Sequence, residues 1–412
     1  MEGILSERCS DEIVIALHGP RSVGKSTLLA AFAKSRGVTV IDLDGIEMRD
    51  AVVRNPELAV GGPTPVCIDE YQRAPEILDA LKSRLNREGG RTGLAVITGS
   101  TRHDTLPRTA QSLTGRLHVL EVLPFSQGEL NGDAENFVEQ LLADPTGVIA
   151  AHPQSTTTRA EYIERVVAGG LPLAVQRSGS SRARWFDDYI RQSIERDAIE
   201  ISRVRDRQVL KAVLERAAAQ TGQPLNVSRL GADLHSTQPT IEGYLRLLED
   251  LYLLYRLPAW GTTLRARARK HPKLHMVDSG VAARLAGMTP ARLERFDPSA
   301  LTEFGHLIET FVVGEVRKQV SWMDAPVAMG HWRTDAGEEV DLVLEDDAGR
   351  VIGIEVKADE RVEAAGLKGL RTLRDTLGNR FIGGVALTTG SRSYTYEERI
   401  HVCPVDRLWR SV

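Results

Sequence analysis

Cysteine is scarce in this chain of 412 residues, and long apolar runs are missing. Only Cys9, Cys67 and Cys403 are present, and they are far apart. This pattern argues against a disulfide framework or a zinc cluster and suits a reducing compartment. A bilayer-spanning helix needs about 20 apolar residues. Four acidic residues within the first twelve positions argue against a signal peptide. We therefore expect a cytoplasmic protein without a membrane partner.

An excess of positive charge is also missing. The chain has 52 Lys and Arg residues against 56 Asp and Glu residues, which gives a net charge of −4. Any surface that binds nucleic acid must therefore be local. Hydrophobic content of 42% and charged content of 26% are ordinary for a globular protein. The length exceeds what one core accommodates, so we expect two or three domains.

The first third of the chain alternates short apolar segments with amphipathic segments. We predict strands at 13–17, 39–43, 65–68, 94–98 and 117–120, and helices at 26–34, 74–87 and 106–113. Alternation of this kind is typical of a parallel sheet with helices on both faces. The sequence therefore predicts an α/β core.

The rest of the chain differs in composition from one segment to the next. Residues 131–158 are rich in Asp, Gly, Pro, Ser and Thr and predict a weakly ordered connection. Residues 159–207 predict charged helices in which Arg and Glu alternate, as on a solvated face. Residues 208–257 predict a three-helix unit with helices at 209–219, 227–234 and 239–251, and then a strand at 252–257.

An α+β segment ends the chain. We predict a helix at 303–319 and strands at 340–344, 351–356 and 381–387. The predicted domains are residues 1–130, 131–207, 208–300 and 301–412.

A phosphate-binding loop follows the first predicted strand. Residues 19–26 read G-P-R-S-V-G-K-S, which matches G-x-x-x-x-G-K-[ST] between a strand and a helix. Backbone N–H groups of such a loop wrap phosphates, Lys25 reaches the β- and γ-phosphates, and the Ser26 hydroxyl ligates Mg²⁺. We therefore expect ATP and Mg²⁺ as cofactors. The expected contacts are Gly19, Pro20, Arg21, Ser22, Val23, Gly24, Lys25, Ser26 and Thr27.

Two acidic residues follow the predicted strand 65–68. We expect Asp69 to hold Mg²⁺ through water and Glu70 to polarise the attacking water as a general base. The alternative is that the pair caps the following helix. The upstream phosphate-binding loop favours the catalytic interpretation.

Two further residues are candidates for the catalytic site. Ser100 follows the predicted strand 94–98 and could hydrogen-bond the γ-phosphate or the water, with Thr98 in reserve; a plain turn is the alternative. Arg116 precedes the next predicted strand and could act as an arginine finger on the ATP of a neighbouring subunit. An ordinary surface arginine fits the same pattern.

These residues resemble those of the AAA+ ATPases. The loop, the pair Asp69 and Glu70, a polar residue after the next strand, and an arginine before the last core strand come in that family's order. The G-G-L-P sequence at 169–172 resembles a turn of one branch of that superfamily, where the proline lies near the adenine. The resemblance implies a helical lid and a base contact for Pro172; a helix-breaking turn is the alternative.

The whole chain resembles one prokaryotic group of AAA+ ATPases with a winged-helix-like middle and an uncharacterised, nuclease-like C-terminal domain. The segments that carry this resemblance are L-P-F-S at 123–126, D-Y-I at 188–190, R-D at 196–197, P-K-L-H at 272–275, D-S-G at 278–280, E-V-D at 339–341 and E-V-K at 355–357. It implies a C-terminal restriction-endonuclease-like fold of the PD-(D/E)XK class.

Acidic residues and a lysine of this last domain form a candidate metal site. Glu355 and Lys357 lie on one face of a predicted strand, and Asp341 joins them if the neighbouring strand pairs as a hairpin. An Asp and a Glu on Mg²⁺ beside a lysine could activate water against a phosphodiester. The resemblance adds Glu309 from the preceding helix. Solubilising edge-strand charges, or an ion pair of Asp341 with Lys357, are the alternatives.

The middle module has features for and against DNA binding. Its third predicted helix exposes Gln238, Thr240 and Arg246, but its acidic residues repel phosphates. The stretch 256–275 carries six basic residues and no acid, which fits phosphate binding or a solvated basic loop. The first hypothesis is an ATPase that couples nucleotide state to DNA binding or processing. The alternative is an ATP-dependent signalling or assembly switch with a non-cleaving C-terminal interaction module. A homo-oligomer is possible: a finger role of Arg116 between subunits requires a dimer or a ring, and a monomeric switch does not.

Overall fold

The computed structural model describes residues 1–100, 113–151, 154–198, 204, 206–263, 266–267, 270–295 and 297–410. The chain forms two compact units: Met1–Leu123 with Asp250–Tyr252, and Pro124–Glu249 with Leu253–Val412. Within the described ranges, no helix is both long and apolar enough to cross a membrane. Most of the helix that we predict at 106–113 lies outside the described residues. The division into four domains stays a prediction.

A five-stranded parallel sheet forms the core of the first unit. Its order is β2-β3-β4-β1-β5. The strands are Val14–His18 (β1), Val40–Asp42 (β2), Val66–Asp69 (β3), Ala95–Gly99 (β4) and Leu117–Glu121 (β5). All five lie within one residue of the predicted positions or overlap them closely, and β1, β3 and β4 are buried along their whole length. The prediction of a parallel α/β core is therefore confirmed.

Amphipathic helices cover this sheet. They are Glu2–Asp11, Lys25–Ser35, Ile46–Arg54, Glu57–Val60 and Ile77–Glu88. In the last of these, Ile77, Leu81 and Leu85 recur at helical spacing and are buried. That helix ends at Gly89, whose positive φ of 79° closes the turn.

Helices dominate the first half of the second unit. They are Gln127–Asn131, Phe137–Ala143, Pro145–Ala151, Arg159–Ala168, Pro172–Val175, Gly179–Gln192, Arg207–Ala219, Val227–Gly231 and Gln238–Asp250, with a π-helical turn at Ser193–Asp197. The three helices predicted within 208–257 are all present. Residue 250 marks the point where the chain enters the segment assigned to the first unit.

The prediction of a weakly ordered connection at 131–158 is wrong. Two helices occupy much of this segment, and Phe137, Val138 and Leu141 are buried on one of them. The Ser155 hydroxyl donates to the fully buried Asp406 carboxylate at 2.5 Å. Buried apolar residues and a buried hydrogen bond outweigh the polar, turn-forming composition.

A small antiparallel sheet follows these helices. It has the order β6-β8-β7, with Gln223–Pro224 (β6), Leu254–Leu257 (β7) and Lys273–Met276 (β8). All four residues of β8 are buried, including Lys273 and His275. Helices Ser279–Leu285 and Pro290–Leu293 come next.

A six-stranded mixed sheet and a long helix complete the second unit. The helix is Pro298–Trp322, and the sheet order is β13-β14-β12-β11-β10-β9. The strands are Val327–Arg333 (β9), Glu339–Asp346 (β10), Val351–Lys357 (β11), Phe381–Thr388 (β12), Tyr394–Glu397 (β13) and Ile400–Pro404 (β14), with helix Lys368–Leu377 before β12. β10 pairs antiparallel with β9 and β11, and β12 pairs parallel with β11.

Candidate functional site

The phosphate-binding loop joins β1 to helix Lys25–Ser35. Two of its glycines are required by geometry. A Cβ on Gly19 would lie 2.0 Å from the carbonyl oxygen of Val122, and Gly24 has φ of +98°. Only glycine adopts that backbone conformation without strain. The loop therefore folds as the motif predicts, and Ser26 and Thr27 are exposed at the start of the helix.

Lys25 is buried at the base of this loop. Its Nζ donates to the carbonyl oxygens of Gly19 at 2.9 Å and of Pro20 at 2.7 Å. Burial lowers the pKa of Lys25 to about 8, although the carboxylates of Glu70 and Asp69 act to raise it. The lysine, the acidic pair and the loop thus belong to one electrostatic site.

The acidic pair lies at the carboxyl end of β3, beside β4. The Thr98 hydroxyl donates to Oδ1 of Asp69 and accepts a hydrogen bond from the backbone N–H of Glu70 at 3.1 Å. Glu70 has φ of +55°, an uncommon conformation that the Thr98 contact supports. Asp69 is 8% exposed, so its carboxylate is held in a fixed position.

Glu70 is also held by a residue that the sequence reasoning missed. Gln72 donates from Nε2 to Oε2 of Glu70 and to the Ser100 hydroxyl at 3.2 Å, and Ser100 lies 3.4 Å from the same Glu70 oxygen. Ser100, our candidate, therefore contacts the predicted base, and Thr98, our reserve, contacts both acids. The amide at position 72 gave no sequence signal beyond its nearness to Glu70.

A buried aromatic pair lies near this network. His18 at the end of β1 and Tyr71 after β3 are joined by a hydrogen bond of 2.9 Å, and their rings are nearly parallel with centroids 5.8 Å apart. A Cβ on Gly99 would lie 2.9 Å from the Tyr71 ring. These packing contacts link the ends of β1, β3 and β4.

The two remaining candidates of this site have no described role. Arg116 donates to the Asn86 side chain at 3.1 Å on the surface. Pro172 is the first residue of the short helix Pro172–Val175 in the second unit. The finger role of Arg116 and the base contact of Pro172 stay predictions.

The structure brings together the residues of the predicted C-terminal metal site, but around a lysine. Nζ of Lys273 lies 2.8 Å from Oε1 of Glu309, 2.8 Å from Oδ1 of Asp341 and 2.5 Å from Oε1 of Glu339. Lys273 is 1% exposed. Asp341 also accepts from the backbone N–H of Val356 at 2.9 Å.

Glu355 and Lys357 form the second part of this cluster. Lys357 donates to Oε1 of Glu355 at 2.7 Å, and the charge of Asp341 also acts on the Lys357 ammonium. Burial raises the pKa of Glu355 to about 8, and the Asp341 charge adds to the effect. Although burial acts against it, the ammonium of Lys273 keeps the pKa of Asp341 below its ordinary value.

The cluster does not fit a metal ion as it stands. Within the described ranges, no group of three or more His, Cys, Asp or Glu side chains is arranged to hold one. Glu315, on another face of the same long helix, belongs elsewhere: it accepts from the backbone N–H of Gln127 at 2.8 Å and from Lys318 at 2.5 Å.

Three motifs that carried the family resemblance meet in a second buried cluster. The Asp278 carboxylate accepts from the backbone N–H groups of Gly170 at 2.8 Å and Val281 at 3.0 Å. The Phe125 N–H donates to the Gly170 carbonyl at 2.8 Å, and a Cβ on Gly170 would lie 2.2 Å from the Phe125 carbonyl oxygen. These motifs are therefore explained by packing within the second unit.

The basic stretch 256–275 is largely neutralised by acids of the same chain. Arg265 and Arg269 lie outside the described residues. The other four are paired: Arg256 with Glu242 and Glu249, Arg267 with Glu345, Lys270 with Asp335, and Lys273 with its three carboxylates. On the third helix, Arg246 is 73% exposed in its side chain and lies 3.6 Å from Glu242. The four described cations of the stretch are thus committed to ion pairs.

The fold and loop of the first unit are those of a P-loop nucleotide-binding domain. Residues 11–131 match the family model described as an AAA domain. Residues 159–292 and 304–408 match two domains of unknown function, DUF8612 and DUF4143. The nucleotide-binding segment is therefore similar to AAA domains, and the other two matches name no activity.

Two mycobacterial proteins and one from Haemophilus influenzae resemble the chain. Uncharacterized proteins of Mycobacterium tuberculosis and Mycobacterium bovis are each 25% identical over 398 residues, which is 96% of this chain and 80% of theirs. An uncharacterized protein of Haemophilus influenzae is 25% identical over 228 residues, which is 53% of this chain and 52% of that protein.

Solved structures give weaker likenesses. The Thermotoga maritima RuvB Holliday junction branch migration motor has a TM-score of 0.30 and 18% identity, covering 63% of this chain and 90% of its own. AMPPCP-bound DnaA from Aquifex aeolicus has a TM-score of 0.29 and 13% identity, covering 60% and 86%. Similarities at these TM-scores do not indicate a shared activity.

Proposed function

We propose that the first unit binds Mg-ATP and hydrolyses it to ADP and phosphate. The observation that carries this proposal is the convergence of Lys25, on the phosphate-binding loop, with the acidic pair at the end of β3. Both acids act electrostatically on the Lys25 ammonium, so the cation that grips phosphate and the carboxylates expected near magnesium share one site.

Each residue has a defined task in this proposal. The loop N–H groups and Lys25 bind the phosphates, and the exposed Ser26 hydroxyl with the Asp69 carboxylate fits the oxygen ligands that Mg²⁺ prefers. When bound, the ion neutralises charge on the β- and γ-phosphates. Glu70, oriented by Gln72 and Thr98, takes a proton from the attacking water.

The test measures ATP binding and turnover for matched variants. Lys25→Ala should lose both, because the phosphates lose their cation. Glu70→Gln should keep binding and lose turnover by about 10² or more. Lys34→Ala is the control, since Lys34 is an exposed lysine on the same helix. Normal turnover in Lys25→Ala, or full activity in Glu70→Gln, would contradict the assignment.

For the use of this hydrolysis, we favour an ATP-dependent assembly or signalling switch over DNA processing. The four described cations of the basic stretch are paired with acids of the same chain, and the net charge is negative. The cations that the structure describes there are thus already partnered and less available to phosphates. ATPase assays with and without DNA discriminate the two: turnover stimulated by DNA supports processing, and turnover indifferent to DNA supports the switch.

The nuclease-like fold of the C-terminal domain is part of the proposal. A long helix, three antiparallel strands, a helix and a parallel strand follow one another there. Asp341 and Glu355 lie on neighbouring strands β10 and β11. This order supports the implied fold, with the domain acting as an interaction module.

Arg116 is proposed to complete the ATP site of a neighbouring copy in a homo-oligomer. The described contact of its guanidinium is a surface hydrogen bond to Asn86, so a moderate side-chain rearrangement releases that group. Mixing Arg116→Ala with Glu70→Gln subunits tests this. Turnover regained in the mixture supports a finger acting between subunits, and none regained opposes it.

A further inference from the structure

The cluster around Lys273 differs from the metal site that its acidic residues imply. Its central cation is a side chain. An ammonium group has three N–H donors, and Nζ of Lys273 has three carboxylate neighbours: Glu339 at 2.5 Å, Glu309 at 2.8 Å and Asp341 at 2.8 Å. Each donor therefore has an anionic acceptor, and the three acids have converged on one point.

The three carboxylates come from separate parts of the second unit. Glu309 lies on the long helix, while Glu339 and Asp341 lie on one face of β10, two residues apart. Lys273 comes from β8, a strand of the three-stranded sheet. The cation is thus supplied from outside the six-stranded sheet that carries most of the acids.

Burial makes this arrangement hard to replace. Lys273 is 1% exposed, and Glu309 and Asp341 are each 8% exposed. A magnesium ion needs ligand oxygens about 2.1 Å away and close to octahedral. The acids already surround the ammonium, so a metal ion can enter only if the ammonium leaves. That step would strip a buried ammonium of its carboxylate partners, which is unfavourable.

Among the described residues, the other polar atoms near Lys273 do not supply a second cation site. Lys357 pairs with Glu355, and Oε2 of Glu355 lacks a hydrogen-bond partner within the part of the chain that the structure describes. His275 is fully buried on β8, with Nδ1 3.1 Å from the Thr310 hydroxyl and Nε2 4.0 Å from Glu309.

We infer that the ammonium of Lys273 takes the place of the divalent cation in this cluster. With Lys273 in position, the C-terminal domain binds no catalytic metal and does not cleave DNA. The acids serve to anchor β8 to the long helix and to β10. This inference is independent of the ATP site, since ATP binding and turnover use other residues.

Manganese binding to the full chain tests the inference without nucleotide. Asp69→Asn is placed in every protein to remove the expected magnesium ligand of the ATP site. Electron paramagnetic resonance then measures bound Mn²⁺ with and without Asp341→Asn. We expect no saturable site that depends on Asp341. The inference is overturned if the protein that retains Lys273 has a saturable Mn²⁺ site and Asp341→Asn abolishes that site.

A second arm removes the lysine. Lys273→Met keeps an unbranched side chain and deletes the charge. We expect this variant to gain one saturable Mn²⁺ site, and the further change Asp341→Asn to abolish it. A folded Lys273→Met protein that gains no site overturns the claim that the ammonium fills the metal position. If this variant does not fold, the first arm decides alone.

DNA cleavage gives an independent readout. Single- and double-stranded DNA are incubated with the wild type in Mn²⁺, beside Asp341→Ala. We expect no cleavage above background for either protein. Cleavage by the wild type that Asp341→Ala removes contradicts the inference. ATPase activity measured on the same preparations shows whether the separate proposal for the first unit holds.

Discussion

Thr98 donates its hydroxyl hydrogen to the carboxylate of Asp69, and this contact joins the ends of β4 and β3 in the first unit. The same hydroxyl oxygen accepts the backbone N–H of Glu70. One side chain thus positions both the expected magnesium ligand and the expected base. A strand-end hydroxyl therefore helps to position both acids.

The variant Thr98→Val tests that positioning. Valine keeps the shape but cannot form either hydrogen bond, so the Glu70 N–H loses its partner. We expect ATP affinity close to that of the wild type and kcat lower by about tenfold, which corresponds to the loss of about 1.4 kcal/mol. Steady-state kinetics and nucleotide titration measure both quantities. Thr98→Ser should retain most of the rate; equal losses in both variants would oppose a hydrogen-bonding role.

ATP binding should weaken above pH 8. Burial lowers the pKa of Lys25 to about 8, so the free protein loses this charge as the pH rises through that value. ATP binds the protonated form, so binding takes up a proton at high pH. The dissociation constant should rise by about tenfold between pH 7 and pH 9. Titration with a fluorescent ATP analogue measures it.

Lys25→Arg is the control for this pH dependence. The guanidinium stays charged throughout the range. The ATP affinity of this variant, even if it is lower than that of the wild type, should therefore not change between pH 7 and pH 9. A wild-type affinity that is flat over this range would show that the Lys25 ammonium does not titrate there.

Replacing Asp278 by Ala should destabilise the second unit. Its buried carboxylate caps helix Ser279–Leu285 and binds the Gly170 N–H, and both groups would be left unsatisfied. We expect a loss of about 2 to 3 kcal/mol in the free energy of unfolding. Asp297 is an exposed cap of helix Pro298–Trp322 and accepts a hydrogen bond from the backbone N–H of Ala300. Asp297→Ala should lower the free energy of unfolding by about 1 kcal/mol. Equal losses would contradict the role of burial.

Tryptophan fluorescence is the suitable probe for that measurement. All five tryptophans, at positions 185, 260, 322, 332 and 409, belong to the second unit. Urea unfolding followed by their emission therefore reports on this unit alone.

Glu135 should make the stability of the second unit depend on pH. Burial, with the charge of Glu315, raises the pKa of Glu135 to about 7 from 4.5. The folded state therefore holds a proton that the unfolded state releases between these values. The contribution of Glu135 to the free energy of unfolding is fully present below about pH 4.5. It falls as the pH rises to 7, by at most about 1.4 kcal/mol per pH unit.

The variant Glu135→Gln isolates this effect. The amide does not titrate, so the difference in unfolding free energy between the wild type and the variant should change between pH 5 and pH 7 and level off above pH 7. Urea unfolding at several pH values measures it. A difference that stays constant with pH would show that Glu135 ionises normally.

The strands of the first unit were predictable because each is a short apolar run between helices. β1, β3 and β4 are buried throughout, and a parallel sheet covered on both faces requires that pattern. The P-loop and the acidic pair were predictable for a related reason, since their chemistry requires particular residues at a fixed spacing.

Strands and helices with mixed composition were missed. β9 contains glycine, histidine and arginine, and β13 is largely exposed, so neither shows an apolar run. Helix Phe137–Ala143 lies beside Asp144, Pro145 and Gly147, and these turn-forming residues hid its apolar face. Composition over a window is a weak guide where tertiary burial decides.

Lys273 was missed because its partners are distant in sequence. Glu309 and Asp341 follow it by 36 and 68 positions, and spacing along the chain cannot reveal such contacts. One local signal was present: Lys273 and His275 occupy the same face of a strand whose residues are all buried. Polar side chains on the inner face of a buried strand indicate a partner inside the protein.

The anchoring of β8 restricts which parts of the second unit can move separately. The three-stranded sheet cannot separate from the long helix and β10 unless Lys273 leaves its three carboxylates. A nucleotide-driven rearrangement that preserves these ion pairs must therefore carry the sheet, the helix and the strand together. The hinge of such a rearrangement must lie elsewhere in the chain.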